Sequence, residues 1–187
     1  LAGGSAQIKN DIDVIKKYFI QSGVLDSEIT VNPATVNPVC ESQGGMFYDR
    51  YGNQSCGSSR AIGYNIQQVI IIESGRVDEV ARLAQTAADE FVGQGIIFTT
   101  QNLEYYYSKL AELRLDLLAE ATKDAQERAG RIAQSTGKKI GALQSASQGV
   151  FQVTAKNSVE VSDYGAYDTS SLEKKITGVV RASFTIK

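Results

Sequence analysis

Histidine is absent from all 187 residues, as is tryptophan, and the chain holds two cysteines, two prolines and one methionine. Lack of histidine excludes Ser-His and Cys-His nucleophilic pairs, imidazole acid-base work near neutrality and histidine-rich zinc sites. Charge of either sign is also scarce in net terms: 19 Lys and Arg face 21 Asp and Glu, leaving −2. That balance lacks the basic footprint of a nucleic-acid binder, so phosphate backbones are not expected partners. No apolar run approaches the roughly 20 residues that cross a bilayer, and the opening "LAGGSAQIKND" lacks the basic and apolar regions of a signal peptide. An export signal or membrane anchor is therefore expected only in a segment upstream of Leu1.

What is present is a globular composition, 42% hydrophobic and 21% charged, long enough to bury a substantial core. A single domain over 1–187 is the simplest expectation, with lobes at 1–107 and 108–187 as its natural subdivision.

Ile8, Ile12, Ile15 and Phe19 recur at helical spacing and predict a helix that ends before Gly23. "SEITVNP" reads as a short strand closed by Pro33. Ala34 to Ser59 breaks every periodicity and carries four glycines, so 34–59 is expected to be an irregular loop insertion. "AIGYNIQQVIIIES" is rich in β-branched residues and predicts one long strand from about Ala61 to Glu73. Val77, Val80, Ala81, Ala84, Ala88 and Phe91 form the stripe of a second helix, ended by Gly93 and Gly95. "GIIFTT" and "LEYYY" predict an extended segment, and Leu110, Leu113, Leu117, Ala121, Ala125, Ala129 and Ile132 a third helix from about Ser108 to Thr136. Two strands follow, near Ile140–Ala155 with a bend at Gly149 and near Ile176–Ile186.

This order predicts an α+β fold with helices packed on a mainly antiparallel sheet. It reads as a split β-α-β-β-α-β unit lacking its first strand, followed by a long helix and two strands. No glycine-rich phosphate fingerprint follows a strand, and neither a cofactor nor a metal site is expected.

Cys40 and Cys56 bracket the glycine-rich loop. A metal pair would lack two further ligands and a redox dithiol is usually more closely spaced, so a structural disulfide is the favoured reading. On the chain-entropy account it would stabilise the fold by roughly 3 kcal/mol, and it implies an oxidising compartment. Phe47, Tyr48 and Tyr51 in that loop, with Tyr105 in "LEYYY", are candidates for a binding surface for a glycan, peptide or other envelope component. The plainer reading is that such tyrosines are half-buried strand residues.

Glu112, Asp116, Glu120 and Asp124 repeat at i, i+4 on the third helix, a like-charge run that disfavours an isolated helix by roughly 0.2–0.5 kcal/mol per pair. Asp124 has Arg128 as a partner four residues on, so a solvated face explains the run better than a cation site. "DTSS" at Asp168–Ser171 suggests a turn rather than a nucleophile. No catalytic residue stands out; an enzyme would have to rest on Glu104 or on these helical carboxylates.

"EATKDAQERAGRIA", the "GKKIG" turn, the "GVFQV" strand and "DTSSLEKKI" before the last strand together resemble the SIMPL domain family, also called DUF541. "IQSGVLDSEIT" and "GYNIQQVIIIES" before "RVDEVARLAQTA" extend the likeness over nearly the whole chain. The family includes periplasmic and outer-membrane-associated bacterial proteins such as 26 kDa antigens. The resemblance implies an exported bacterial protein with an α/β fold that forms homo-oligomers, ring-like in one relative, with links to envelope or oxidative stress; the first reading of the chain is a non-enzymatic envelope protein that self-associates. It brings no catalytic residues. The cysteine-bearing loop departs from the family pattern.

Overall fold

The computed structural model describes residues 2–41, 47–48, 50, 52, 54–159 and 162–187. The chain forms two compact units, Leu1–Gln101 and Asn102–Lys187. Its elements are helices and antiparallel strand pairs, an α+β fold in which the strands are paired two by two.

In the first unit, helix α1 spans Ala2–Gln21 and buries Ile15 and Phe19. Gly23 ends it at φ +101, a left-handed conformation that would strain a residue with a Cβ. The Gly23 N–H donates to Ile20 O at 3.1 Å and the Val24 N–H to Phe19 O at 3.0 Å, closing the exposed carbonyls and turning Val24 into the core. Helix α2, Val77–Val92, ends in the same way: Gly95 lies at φ +76, and the Ile96 N–H reaches Phe91 O at 3.0 Å. Its buried line is Leu83, Ala87 and Phe91, flanked by half-buried Val80 and Ala84. The expected stripe held Phe91 and the half-buried flank but missed Leu83 and Ala87, the other two residues of its buried line.

Strand β1, Ile29–Val31, pairs antiparallel with β6, Ile70–Ile72, and β2, Thr35–Cys40, with β5, Ala61–Gln67. The two ladders follow one another along a single hairpin. Between them the Asn32 N–H donates to Val69 O at 2.9 Å and Gln68 Nε2 donates to Asn32 O at 2.8 Å. The strand expected over Ala61–Glu73 is thus interrupted at Gln68 and Val69, opposite Pro33, which has no N–H to give. Thr35–Cys40, expected within an irregular loop, is a regular strand. Its Val36, Pro38 alternation was masked by the proline, which a strand tolerates where its nitrogen faces away from the partner. A short hairpin, β3 at Phe47–Tyr48 with β4 at Gln54–Ser55, follows β2.

The base of the long hairpin packs on the helices. Ile29 joins Ile15, Phe19, Val24, Leu83, Ala87, Phe91 and Ile96 in one buried cluster, with Val31, Ile70, Ile72, Tyr18 and Phe98 against it. The rings of Tyr18 and Phe91 meet edge to face at 5.0 Å, and Phe91 and Phe98 lie 4.8 Å apart. The β2–β5 arm, roughly 20 Å of two-stranded ribbon, contributes nothing to that cluster.

In the second unit, helix α3 runs Leu110–Ser135 and passes into a turn at Gly137. The extended segment expected before it, around Gly95–Tyr107, forms no ladder strand. Strands β7, Ile140–Gln148, and β10, Val180–Ile186, form a second long ribbon, along which α3 packs. β8, Gln152–Ala155, pairs with β9, Lys174–Thr177. On its other side β8 receives residues 166–168: the Val153 N–H donates to Ala166 O at 2.7 Å and the Asp168 N–H to Val153 O at 2.8 Å. Flanked on both sides, Gln152, Val153 and Thr154 are buried.

Candidate functional site

Cys40 and Cys56 form a disulfide, with Cα atoms 5.5 Å apart. It fastens the end of β2 to the residue following β4, so the β3–β4 hairpin is held beside the arm rather than left to swing. Gln54 Nε2 also donates to Pro38 O at 3.4 Å, on the outer side of β2. The hairpin presents Phe47 and Tyr48, 56% and 68% exposed. As neighbours on a strand they point to opposite faces, so they offer one ring on each side rather than a joint aromatic cradle. Tyr51 lies outside the described residues. Tyr105 belongs to the second unit, where its side chain is half-buried and its N–H donates to Thr169 O at 2.7 Å. The exposed tyrosines beside it are Tyr106 and Tyr107; Tyr106 stacks 6.2 Å from Tyr167 and donates its hydroxyl proton to Glu104.

Two carboxylates are held below their ordinary range. For Asp168 the largest cause is the Ser171 hydroxyl, followed by the hydroxyl of Ser170, with the backbone N–H groups of both adding to it. Lys174, almost buried, lies with Nζ 3.6 Å from Asp168 Oδ2 and donates to the Asp168 carbonyl. This is a turn that fixes the lead into β9, in keeping with the reading of "DTSS". Glu28 is lowered first by a hydrogen bond from the Ser74 side chain, then by the Leu25 N–H. Arg76 pairs with it, while also donating to Gly23 O at 2.7 Å and to Glu79 Oε2 at 3.1 Å. The Arg76 clamp ties the end of α1 to the start of α2. Sequence reading missed it, because Glu28 and Arg76 are separated by a whole hairpin and neither breaks a local pattern.

Both lowered carboxylates are engaged in fixed turns, the opposite of a general acid or base poised near neutrality. The open depressions are modest. One of about 280 Å³ lies beside Val153, Tyr167 and Asp168, and one of about 290 Å³ beside Lys17, Tyr18 and Glu90. On α3, Glu112, Asp116, Glu120 and Asp124 are exposed, and Arg128 Nε reaches Asp124 at 2.9 Å. Among the described residues no group of three or more Cys, Asp or Glu side chains is placed to hold a metal, and no helix is long and apolar enough to cross a membrane.

Apolar side chains are instead abundant on the outside. Val36, Val39, Ile62 and Tyr64 are exposed on the β2–β5 arm. On α3 the stripe of Leu113, Leu117, Ala121, Ala125 and Ala129 is only half-buried, with Ala133 alone fully covered.

A family model described as SIMPL, protein of unknown function (DUF541), matches residues 3–184. No curated protein matches the chain.

Proposed function

Because the chain belongs to the SIMPL (DUF541) family, whose description assigns no activity, we propose a function from its surface: a non-enzymatic, self-associating scaffold of the bacterial cell envelope. The observation that carries this reading is apolar surface in each unit: exposed side chains on the β2–β5 arm, outside the buried cluster of its own unit, and a stripe along α3 that is only half-buried. Two-stranded ribbons are marginal alone and gain stability from further strands or from a packed face. Contiguous exposed apolar surface marks sites of protein association. The Cys40–Cys56 disulfide supports export to an oxidising compartment. The engagement of Asp168 and Glu28 in turns supports a role without catalysis. Light scattering on the purified protein tests the reading: species several times the 20.2 kDa protomer are expected, and a monomer at every concentration would refute it.

A second reading rests on Phe47 and Tyr48, exposed on a hairpin that the disulfide holds in place. Here the hairpin binds an envelope glycan or peptide. Replacing both rings by alanine would then abolish capture of peptidoglycan fragments, with the assembly unchanged.

A further inference from the structure

We infer that the free edge of β5 is a self-association surface, on which a second copy of the chain adds its own β5 antiparallel, about a two-fold axis at Asn65. The inference rests on the scaffold reading and assigns it a contact.

Pro38 stands opposite Tyr64. Proline cannot donate, so in a regular antiparallel ladder this pair is one whose N–H and C=O groups point away from the partner strand. Gln54 Nε2 reaching Pro38 O from outside the ladder agrees with that direction. Counting by two, the outward-facing backbone groups of β5 are those of Tyr64 and Ile66, while Gly63, Asn65 and Gln67 bond inward to β2. The register shift between Val39 and Cys40 places an extra residue, Ile62, on β5 and ends the regular edge there.

The two edges of the ribbon differ. β2 is guarded: Pro38 removes a donor from its outer side, and β4, tied by the disulfide, lies alongside. Strand β5, Ala61–Gln67, carries no charged residue and no proline. It therefore lacks charge and proline, two of the devices by which edges refuse a further strand, over the stretch beyond its bulge at Ile62.

Why its own copy? Asn65 is flanked by Tyr64 and Ile66, whose side chains share one face of the strand. A two-fold there makes Tyr64 exchange two hydrogen bonds with Ile66 of the second copy, and Ile66 two with its Tyr64, four in all. Each tyrosine ring, 49% exposed in the single chain, then covers the isoleucine beside it. An uncharged strand meets itself without like-charge repulsion. The first turn of α1 packs on Ile66, where a Cβ built on Gly4 would come within 3.1 Å of Ile66 Cδ1, so part of that isoleucine is already covered within the chain. The union would turn two separate ribbons into one four-stranded sheet with an apolar face.

The test uses the whole chain. Asn65 and Asn65 of the second copy form a close pair without mutual hydrogen bonds, with Cα atoms about 4.5 Å apart, within disulfide range. Asn65→Cys, treated with diamide, is expected to give a covalent dimer joined through the new thiol, identified by peptide mass. Gln67→Cys, roughly 13 Å from its own equivalent by strand rise, is expected to give none. Tyr64→Lys is expected to weaken self-association at least about tenfold, because two cations would be set against apolar side chains, with an unchanged circular dichroism spectrum. An oligomeric wild type whose Asn65→Cys form does not cross-link, and which Tyr64→Lys leaves intact, would overturn the β5 contact and leave the scaffold reading standing. A wild type that stays monomeric would overturn both.

Discussion

The two units of this chain are stabilised by different means. The first gathers eight apolar residues into one cluster stitched by edge-to-face aromatic contacts. In the second, the fully buried residues described are Ala133, Gln152, Val153 and Thr154, two of them polar. There β8 is held by hydrogen bonds on both sides, Asp168 by two serines, and α3 by a stripe that is half covered. A unit with much apolar burial tolerates being alone, whereas one built on ribbons and a half-covered helix leaves surface for neighbours. The β2–β5 arm of the first unit shares this second character, since it extends past the core that anchors its base.

The largest expected effect is on the core of the first unit. Phe91→Ala removes the ring at the centre of the aromatic contacts and should cost about 3–5 kcal/mol, read by denaturant unfolding. Double replacement of Cys40 and Cys56 by serine should cost up to about 3 kcal/mol. Its sharper signature is location: hydrogen exchange should rise in β2 to β5, with α2 unchanged. Val153→Ala, at the best-buried apolar position of the second unit, should cost about 2 kcal/mol; a loss as large as that of Phe91→Ala would erase the contrast between the units. Gly23→Ala, which forces a Cβ into a left-handed position, should cost about 1–2 kcal/mol, seen as a lower unfolding midpoint.

Acid sharpens the comparison without a large change at neutrality. Asp168 has its pKa lowered in the folded state, so its contribution is complete above the ordinary carboxylate range and is lost as pH falls through that range and below. The stability advantage of the wild type over Asp168→Asn should therefore shrink steadily as the pH of thermal unfolding is lowered. An advantage that grew with acid would contradict the assignment.

Much of the fold was legible in local pattern. The three helices follow from apolar residues at steps of three and four, and Gly23, Gly95 and Gly137 mark their ends because left-handed closure favours glycine. The disulfide was legible as well, from two cysteines flanking a stretch with no periodicity of its own. β2 was not: its proline, Pro38, imitates a loop, and whether proline breaks or merely edges a strand depends on which way its nitrogen faces, a property of the partner. The break at Gln68 and Val69 is likewise set by Pro33 across the hairpin. The stripe of α2 was read correctly at Phe91 but incompletely, because Leu83 and Ala87 sit one step from the small residues that suggested the rest of it. Among the candidate binding residues, Phe47 and Tyr48 are exposed, while Tyr105 is half-buried in a segment that forms no ladder strand.

On the scaffold reading, the apolar surface outside the core is there to be covered by other copies of the same chain. Sedimentation velocity over a wide concentration range tests it most directly. A concentration-dependent population larger than the protomer is expected; a single 20.2 kDa species throughout would refute self-association.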